Sequence, residues 1–190
     1  YEEWKANLDK RLSSDENFKI IWKKFNNIDF QSLSLEWSND QASRVIGGKV
    51  LNEIGKSNDF IIGGSADLAA STKQIVSNEV FGSENYGGNS LEFGIREHAM
   101  GGIVNGIALH SNLVPYGSTF LVFSDYMRPS IRLASLMETN SVFIFTHDSI
   151  FLGEDGPTHQ PVEHLMALRL IPGLDVIRPA NNNEILHAYK

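Results

Sequence analysis

The sequence predicts an α/β fold: a parallel sheet with helices on both faces, preceded by a helical segment. Three observations carry this expectation. From residue 40 onward, short apolar runs alternate with stretches of helical period, the pattern of a parallel sheet covered on both sides. Residues 1–30 show helical spacing and contain no Gly or Pro. Polar loops follow the apolar runs, at the sheet edge where α/β folds collect ligands.

In chain order, Trp4, Leu8 and Leu12, then Phe18, Ile21, Trp22 and Phe25, predict two short helices. Residues 34–39 have no period and read as a connector, so 1–38 form a helical linker from an upstream domain and 39–190 the α/β domain. Val45, Ile46, Val50, Leu51 and Ile54 make a helical stripe closed by Gly55. Phe60-Ile61-Ile62 predicts a buried strand stopped by Gly63-Gly64, and residues 64–90 a long loop. Leu91 to Phe93 predicts a strand, and Met100, Ile103, Val104 and Ile107 a helix beginning near Arg96. A strand over Val114 to Thr119 precedes a helix over 123–138, with Met127, Ile131, Ala134 and Met137 inward. Val142 to Phe145 is the clearest strand. Glu163 to Leu170 predicts a helix, Asp175 to Ile177 a last strand, and Asn183 the cap of a final helix.

The chain has 190 residues, a 42% apolar fraction and a formal net charge of −7. That size and composition fit one globular domain. The negative charge argues against nucleic acid or an anionic membrane as partner, since both need clustered positive charge. No apolar run is long enough to span a bilayer. Cysteine is absent, which excludes disulfides and thiolate metal sites and fits a cytoplasmic location.

Three apparent motifs fail on their chemistry. Gly55-Lys56-Ser57 resembles the end of a phosphate loop, but position 50 is Val where the motif needs Gly. It reads as the end of a helix. His159, Glu163 and His164 suggest a zinc helix, yet the histidines are wrongly spaced and Pro161 lies between them. Gly153-Glu154-Asp155-Gly156 is not a dinucleotide fingerprint. No metal ligand is expected within this chain.

Two segments remain. One runs Phe93-Gly94-Ile95-Arg96-Glu97-His98-Ala99-Met100, followed by Tyr116-Gly117-Ser118-Thr119-Phe120-Leu121-Val122-Phe123-Ser124-Asp125-Tyr126. The other runs Thr146-His147-Asp148-Ser149-Ile150, then Gly153-Glu154-Asp155-Gly156-Pro157-Thr158-His159-Gln160-Pro161. Both resemble transketolases, as does Gly63-Gly64-Ser65-Ala66-Asp67-Leu68. The resemblance covers about residues 40–190 and matches the family's pyrimidine-binding middle domain.

The resemblance implies a homodimer with thiamine diphosphate between subunits. It assigns the diphosphate and its divalent cation, Mg2+ or Ca2+, to a domain missing here, and a C-terminal domain is also missing. The isolated chain is therefore expected to be inactive. Glu97 matches the catalytic glutamate. A carboxyl group bonded to a ring nitrogen of the aminopyrimidine favours the tautomer that activates the cofactor. Read without the family, Glu97 is an acidic residue in a helix's first turn. Phe120, Phe123 and Tyr126 match the walls of the pyrimidine pocket; their spacing alone equally fits core packing. His159 matches a proton relay beside the reacting carbon, and Asp155 a reader of a sugar hydroxyl. Arg44, Ser71 and His147 match the sugar-phosphate end, a donor set suited to phosphate. Asp67 is assigned to the subunit interface or the cofactor's surroundings.

Two departures stand out: Phe151 where the family usually carries a small residue, and Ala70 where it often has Pro. The implied reaction moves a two-carbon ketol unit between a ketose phosphate and an aldose phosphate. A dihydroxyacetone synthase-like sister enzyme is the nearest alternative, and a non-catalytic or split-chain assembly subunit the alternative of another class.

Overall fold

A computed structural model describes residues 1–27, 30, 33–36 and 41–190. Residues 37–39 of the connector predicted at 34–39, and with them the 38/39 boundary, lie outside the described residues.

Helix α1 (Glu2–Ser14) and helix α2 (Glu16–Phe25) bear out the first two expected helices. Asp15 separates them: its side chain accepts a hydrogen bond from the Phe18 N–H at 2.9 Å, the N-cap arrangement that starts a helix. Neither helix buries a residue. Ile20 and Ile21 stay exposed, while Phe25 meets Phe60 edge-on at 5.1 Å.

The remaining elements are α3 (Ser43–Ser57), β1 (Ile61–Ser65), α4 (Ala69–Thr72), β2 (Ser90–Glu92), α5 (Glu97–His110), β3 (Val114–Phe120), α6 (Ser124–Leu136), β4 (Val142–Thr146), α7 (His164–Arg169) and α8 (Asn182–Tyr189). The four strands form one parallel sheet in the order β2-β1-β3-β4. Period-two alternation divides the strand residues between two cores. On one face Phe143 and Phe145 pack with Met100 and Val104 of α5, Met127 and Ile131 of α6 and Leu168 of α7. On the other, Ile61, Tyr116 and Ile144 pack with Ile46, Val50, Leu51 and Ile54 of α3 and Ile185 of α8. Each such side chain taken fully out of water contributes about 1.5–3 kcal/mol. Helices cover both faces, as the sequence predicts.

Several boundaries differ from expectation. Strand β1 does not stop at Gly63-Gly64 but runs through them to Ser65. A Cβ on Gly63 would lie 2.1 Å from the Tyr116 carbonyl oxygen, and one on Gly64 1.9 Å from that of Leu91. These glycines are close-approach positions, not breakers. Gly55 does not end α3; the helix continues to Ser57, and a Cβ on Gly55 would meet the Val76 carbonyl oxygen at 2.5 Å. The 64–90 loop contains α4 and an isolated bridge between Val80 and Ser90. Asp175 to Ile177 is not a strand; Leu174 and Val176 pack on the core without joining the sheet. Asn181, not Asn183, caps α8, accepting from the Glu184 N–H at 3.0 Å. Met137 ends up 39% exposed rather than inward, and Ile103 also remains exposed.

Because all four strands are parallel, their C-terminal ends share one edge. Ser65-Ala66-Asp67, Phe93 to Glu97, Phe120 and His147 all emerge there. No helix among the described residues is long and apolar enough to cross a membrane.

Candidate functional site

The edge holds an open cleft of about 500 Å³, lined by Ala66, Asp67, Leu68, Ile95, Glu97, Phe120, Phe123, Tyr126 and His159. Five of these are residues that the sequence singled out as catalytic or cofactor-binding.

Glu97 is the first residue of α5, and only 8% of it is exposed. The chain reaches it through a tight turn. Gly94 has φ +67, the left-handed region, and the Arg96 side chain donates back to the Phe93 carbonyl at 3.1 Å. A carboxylate at a helix N-terminus is favoured by the exposed N–H groups there.

One wall of the cleft is aromatic. Phe120, the last residue of β3, stacks on Phe123 with 5.7 Å between centroids and 9° between planes. Phe123 stacks in turn on Tyr126 at 5.8 Å and 22°. The backbone goes from strand to a 3-10 turn at Leu121–Phe123 and then into α6, which is why side chains three apart meet on one face. His159 stands edge-on to this wall, 5.4 Å from Phe123 and 6.3 Å from Phe120. Its Nδ1 shares a hydrogen bond of 2.9 Å with the Thr158 hydroxyl. The turn after β1 supplies another part of the lining. There the Ser65 hydroxyl donates to the Ser118 carbonyl at 3.0 Å and accepts from the Leu68 N–H at 3.3 Å. Asp67 is held in the left-handed region at φ +61, a backbone strain that concentrates at functional sites.

His147 extends the site beyond the cleft. Its ring lies 3.8 Å from that of Phe120, its Nδ1 shares a hydrogen bond of 2.9 Å with the Thr146 hydroxyl, and its own φ is +54. Burial pushes its pKa below the ordinary value, and the Arg44 guanidinium pushes it further down, while Asp155 and Asp148 oppose them. Arg44 and Asp155 therefore share one electrostatic neighbourhood with His147. Ser71 sits half-buried in α4, and no direct contact joins it to Arg44 or His147 among those seen. Phe151 is 89% exposed.

Two groupings escaped the sequence reading. His164 has no part in a zinc helix with His159; it is buried, and its Nε2 pairs with the Asp125 carboxylate at 3.1 Å. Glu163 joins them within 4.8 Å, an exposed acid beside a buried imidazole. The side chain of Gln74 spans three elements. Neither pairing is legible locally, since Asp125 lies 39 residues from His164, and Arg44 and Tyr189 lie 30 and 115 residues from Gln74.

Residues 40–190 match the sequence family "Transketolase, pyrimidine binding domain". The chain belongs to this family. Among curated transketolases, that of Halalkalibacterium halodurans is 51% identical over 158 residues, covering 83% of this chain and 24% of its own length. That of Staphylococcus aureus strain MRSA252 is 45% identical and covers 99% of this chain and 30% of its own length. The crystal structure of Campylobacter jejuni transketolase superposes with a TM-score of 0.89 at 37% identity, over 99% of this chain and 29% of that one. The chain thus spans under a third of the length of these transketolases, and the last two match its N-terminal helices as well as its sheet.

Proposed function

We propose that this chain is the part of a transketolase that holds and activates the aminopyrimidine of thiamine diphosphate. The observation that carries the reading is the burial of the Glu97 carboxyl in the same cleft as the Phe120-Phe123-Tyr126 stack. Flat apolar walls suit an aromatic ring, and the buried Glu97 carboxyl suits a ring nitrogen, so the residues present fit the group. When bound, thiamine diphosphate would supply the nucleophilic carbon that ketol transfer needs.

The chain's own residues take the following roles. The Glu97 carboxyl would hold a ring nitrogen of the aminopyrimidine by a hydrogen bond, and the phenyl rings that line the same cleft would limit the access of water to it. Phe120, Phe123 and Tyr126 fix the plane of the ring. The His159 imidazole, next to this wall, holds and moves protons at the sugar's oxygens. Asp155 accepts from a sugar hydroxyl. Arg44, Ser71 and His147 bind the sugar phosphate; the electrostatic link of Arg44 and Asp155 to His147 supports placing phosphate and hydroxyl recognition side by side.

The diphosphate and its Mg2+ or Ca2+ belong, on this reading, to another domain supplied by a partner subunit in a homodimer. Ile95 at 77% and Tyr126 at 63% exposure rim the cleft, and a second subunit covers them. Helices α1 and α2 connect to the preceding domain. The complete protein is a cytoplasmic enzyme of pentose phosphate metabolism.

The test is direct. The complete protein, given thiamine diphosphate and Mg2+, transfers a ketol unit from a ketose phosphate to an aldose phosphate, whereas the 190-residue chain given the same additions does not. Absence of transfer in the complete protein overturns the reading.

A further inference from the structure

Gln74 is 1% exposed and follows the short helix α4. Its amide is fully used. Nε2 donates to the Arg44 carbonyl at 2.9 Å and to the Thr72 carbonyl at 3.0 Å. Oε1 accepts from the Tyr189 hydroxyl at 2.8 Å. The Gln74 main-chain carbonyl accepts from the buried Tyr116 hydroxyl at 3.3 Å, which itself accepts from the Val76 N–H at 3.1 Å. One side chain therefore joins the start of α3, the end of α4 and the last turn of α8.

The neighbouring backbone leaves room for this amide and little else. A Cβ on Gly47 would lie 3.3 Å from Nε2 and 3.5 Å from the Tyr189 hydroxyl. A Cβ on Gly48 would lie 2.2 Å from the Lys73 carbonyl oxygen, so α3 touches the turn after α4 backbone to backbone. Lys73 itself sits in the left-handed region at φ +62. The two residues that this node grips through their carbonyls are Arg44 itself and Thr72, the neighbour of Ser71. No direct contact joins the Arg44 and Ser71 side chains among those seen, so their spacing is set through the backbone.

We propose that Gln74 is a positioning residue for phosphate recognition: its amide holds Arg44 at the start of α3 in register with Ser71 in α4. The inference rests on the reading of Arg44 and Ser71 as phosphate ligands. A merely structural amide, lost, would lower activity toward every substrate alike. A positioning amide, lost, weakens only the ligand whose phosphate both groups must meet.

The experiment uses the complete enzyme and compares the Michaelis constants of a phosphorylated ketose and an unphosphorylated two-carbon donor. Gln74→Met keeps the volume and removes the amide. It raises the constant for the phosphorylated donor about tenfold, the scale of one lost hydrogen-bond arrangement, and leaves the other nearly unchanged. Should Gln74→Met fail to fold, Gln74→Asn, with its amide one methylene shorter, is read by the same ratio. Tyr189→Phe removes only the Oε1 partner; it lowers the melting temperature without moving the ratio. Arg44→Ala, run in parallel, separates the two readings. If Arg44→Ala is selective for the phosphorylated donor and the Gln74 variants are not, the positioning role is wrong. If Arg44→Ala shows no selectivity, the phosphate site itself is misplaced and the inference falls with it.

Discussion

The His147 imidazole lies 3.8 Å from the Phe120 ring, centroid to centroid, with 31° between their planes. One ring thus belongs to two regions. Phe120 faces the cleft beside Glu97 on one side and braces the His147 end of the site on the other. The sheet produces this directly, because the register pairs Phe120 at the end of β3 with Thr146 at the end of β4.

The charge of His147 sets a pH dependence. Its folded-state pKa is lowered, by burial first and Arg44 second. For folding, both states are neutral above the ordinary value of 6.5, and the group contributes nothing there. As pH falls below that value the unfolded chain takes up the proton first, so native stability declines. For binding, His147 is a neutral hydrogen-bonding group at neutral pH and becomes a cation only in acid. The ratio of Michaelis constants for His147→Asn over wild type, with a phosphorylated sugar, should be small near about pH 8 and grow as pH drops well below the ordinary value of 6.5. Asparagine tolerates the left-handed backbone at this position, and the ratio cancels the ligand's own titration. A ratio that does not change with pH would remove the imidazolium from phosphate recognition.

Arg44→Ala separates charge recognition from catalysis. Loss of a charged hydrogen-bond partner costs roughly 1.5–3 kcal/mol, about ten- to a hundredfold in affinity. Steady-state kinetics of the complete enzyme should show that increase in the Michaelis constant for phosphorylated sugars. An unphosphorylated two-carbon donor should be nearly unaffected. Equal losses for both donors would assign Arg44 to the fold.

Gly64→Ala probes the sheet. The added methyl would meet the Leu91 carbonyl oxygen at 1.9 Å, inside the hydrogen-bonded pair of β1 and β2. Backbone cannot move aside as a side-chain tip can, so the expected loss is about 3 kcal/mol or more, at the top of the overpacking range. Denaturant unfolding of Gly106→Ala gives the contrast. Nothing lies within 4 Å of a Cβ there, and Gly106 is an exposed position within α5, so alanine should stabilise by about 0.4–1 kcal/mol. Equal effects at the two positions would contradict the close-approach account of β1.

Much of this architecture was legible in the sequence, for identifiable reasons. Apolar periodicity placed α3, α5, α6, β3 and β4, because each packs a stripe or run of apolar side chains against a core. Periodicity misread Gly63-Gly64 as a stop: a glycine that ends a strand and one that lets strands approach look alike until the neighbours are known. Asp175 to Ile177 misled in the opposite direction. Leu174 and Val176 are partly buried by packing on the core, and packing alone does not make a ladder. The cleft lined by Glu97, Phe120, Phe123 and Tyr126 was legible only through the resemblance, since three aromatics at that spacing equally describe a core. The Gln74 node was not legible at all. Its partners Arg44, Thr72, Tyr116 and Tyr189 come from four separate elements, and only the tertiary fold brings them together.

The central claim is that Glu97 activates the cofactor and does not bind the sugar. Glu97→Ala in the complete enzyme tests it through exchange of the C2 hydrogen of bound thiamine diphosphate for deuterium, followed by quenched-flow NMR. Exchange should slow by at least the 10²–10⁴-fold range typical of general acid–base groups, while the Michaelis constants of the sugars change little. Unchanged exchange in Glu97→Ala would show that the buried carboxyl is structural and would contradict the account.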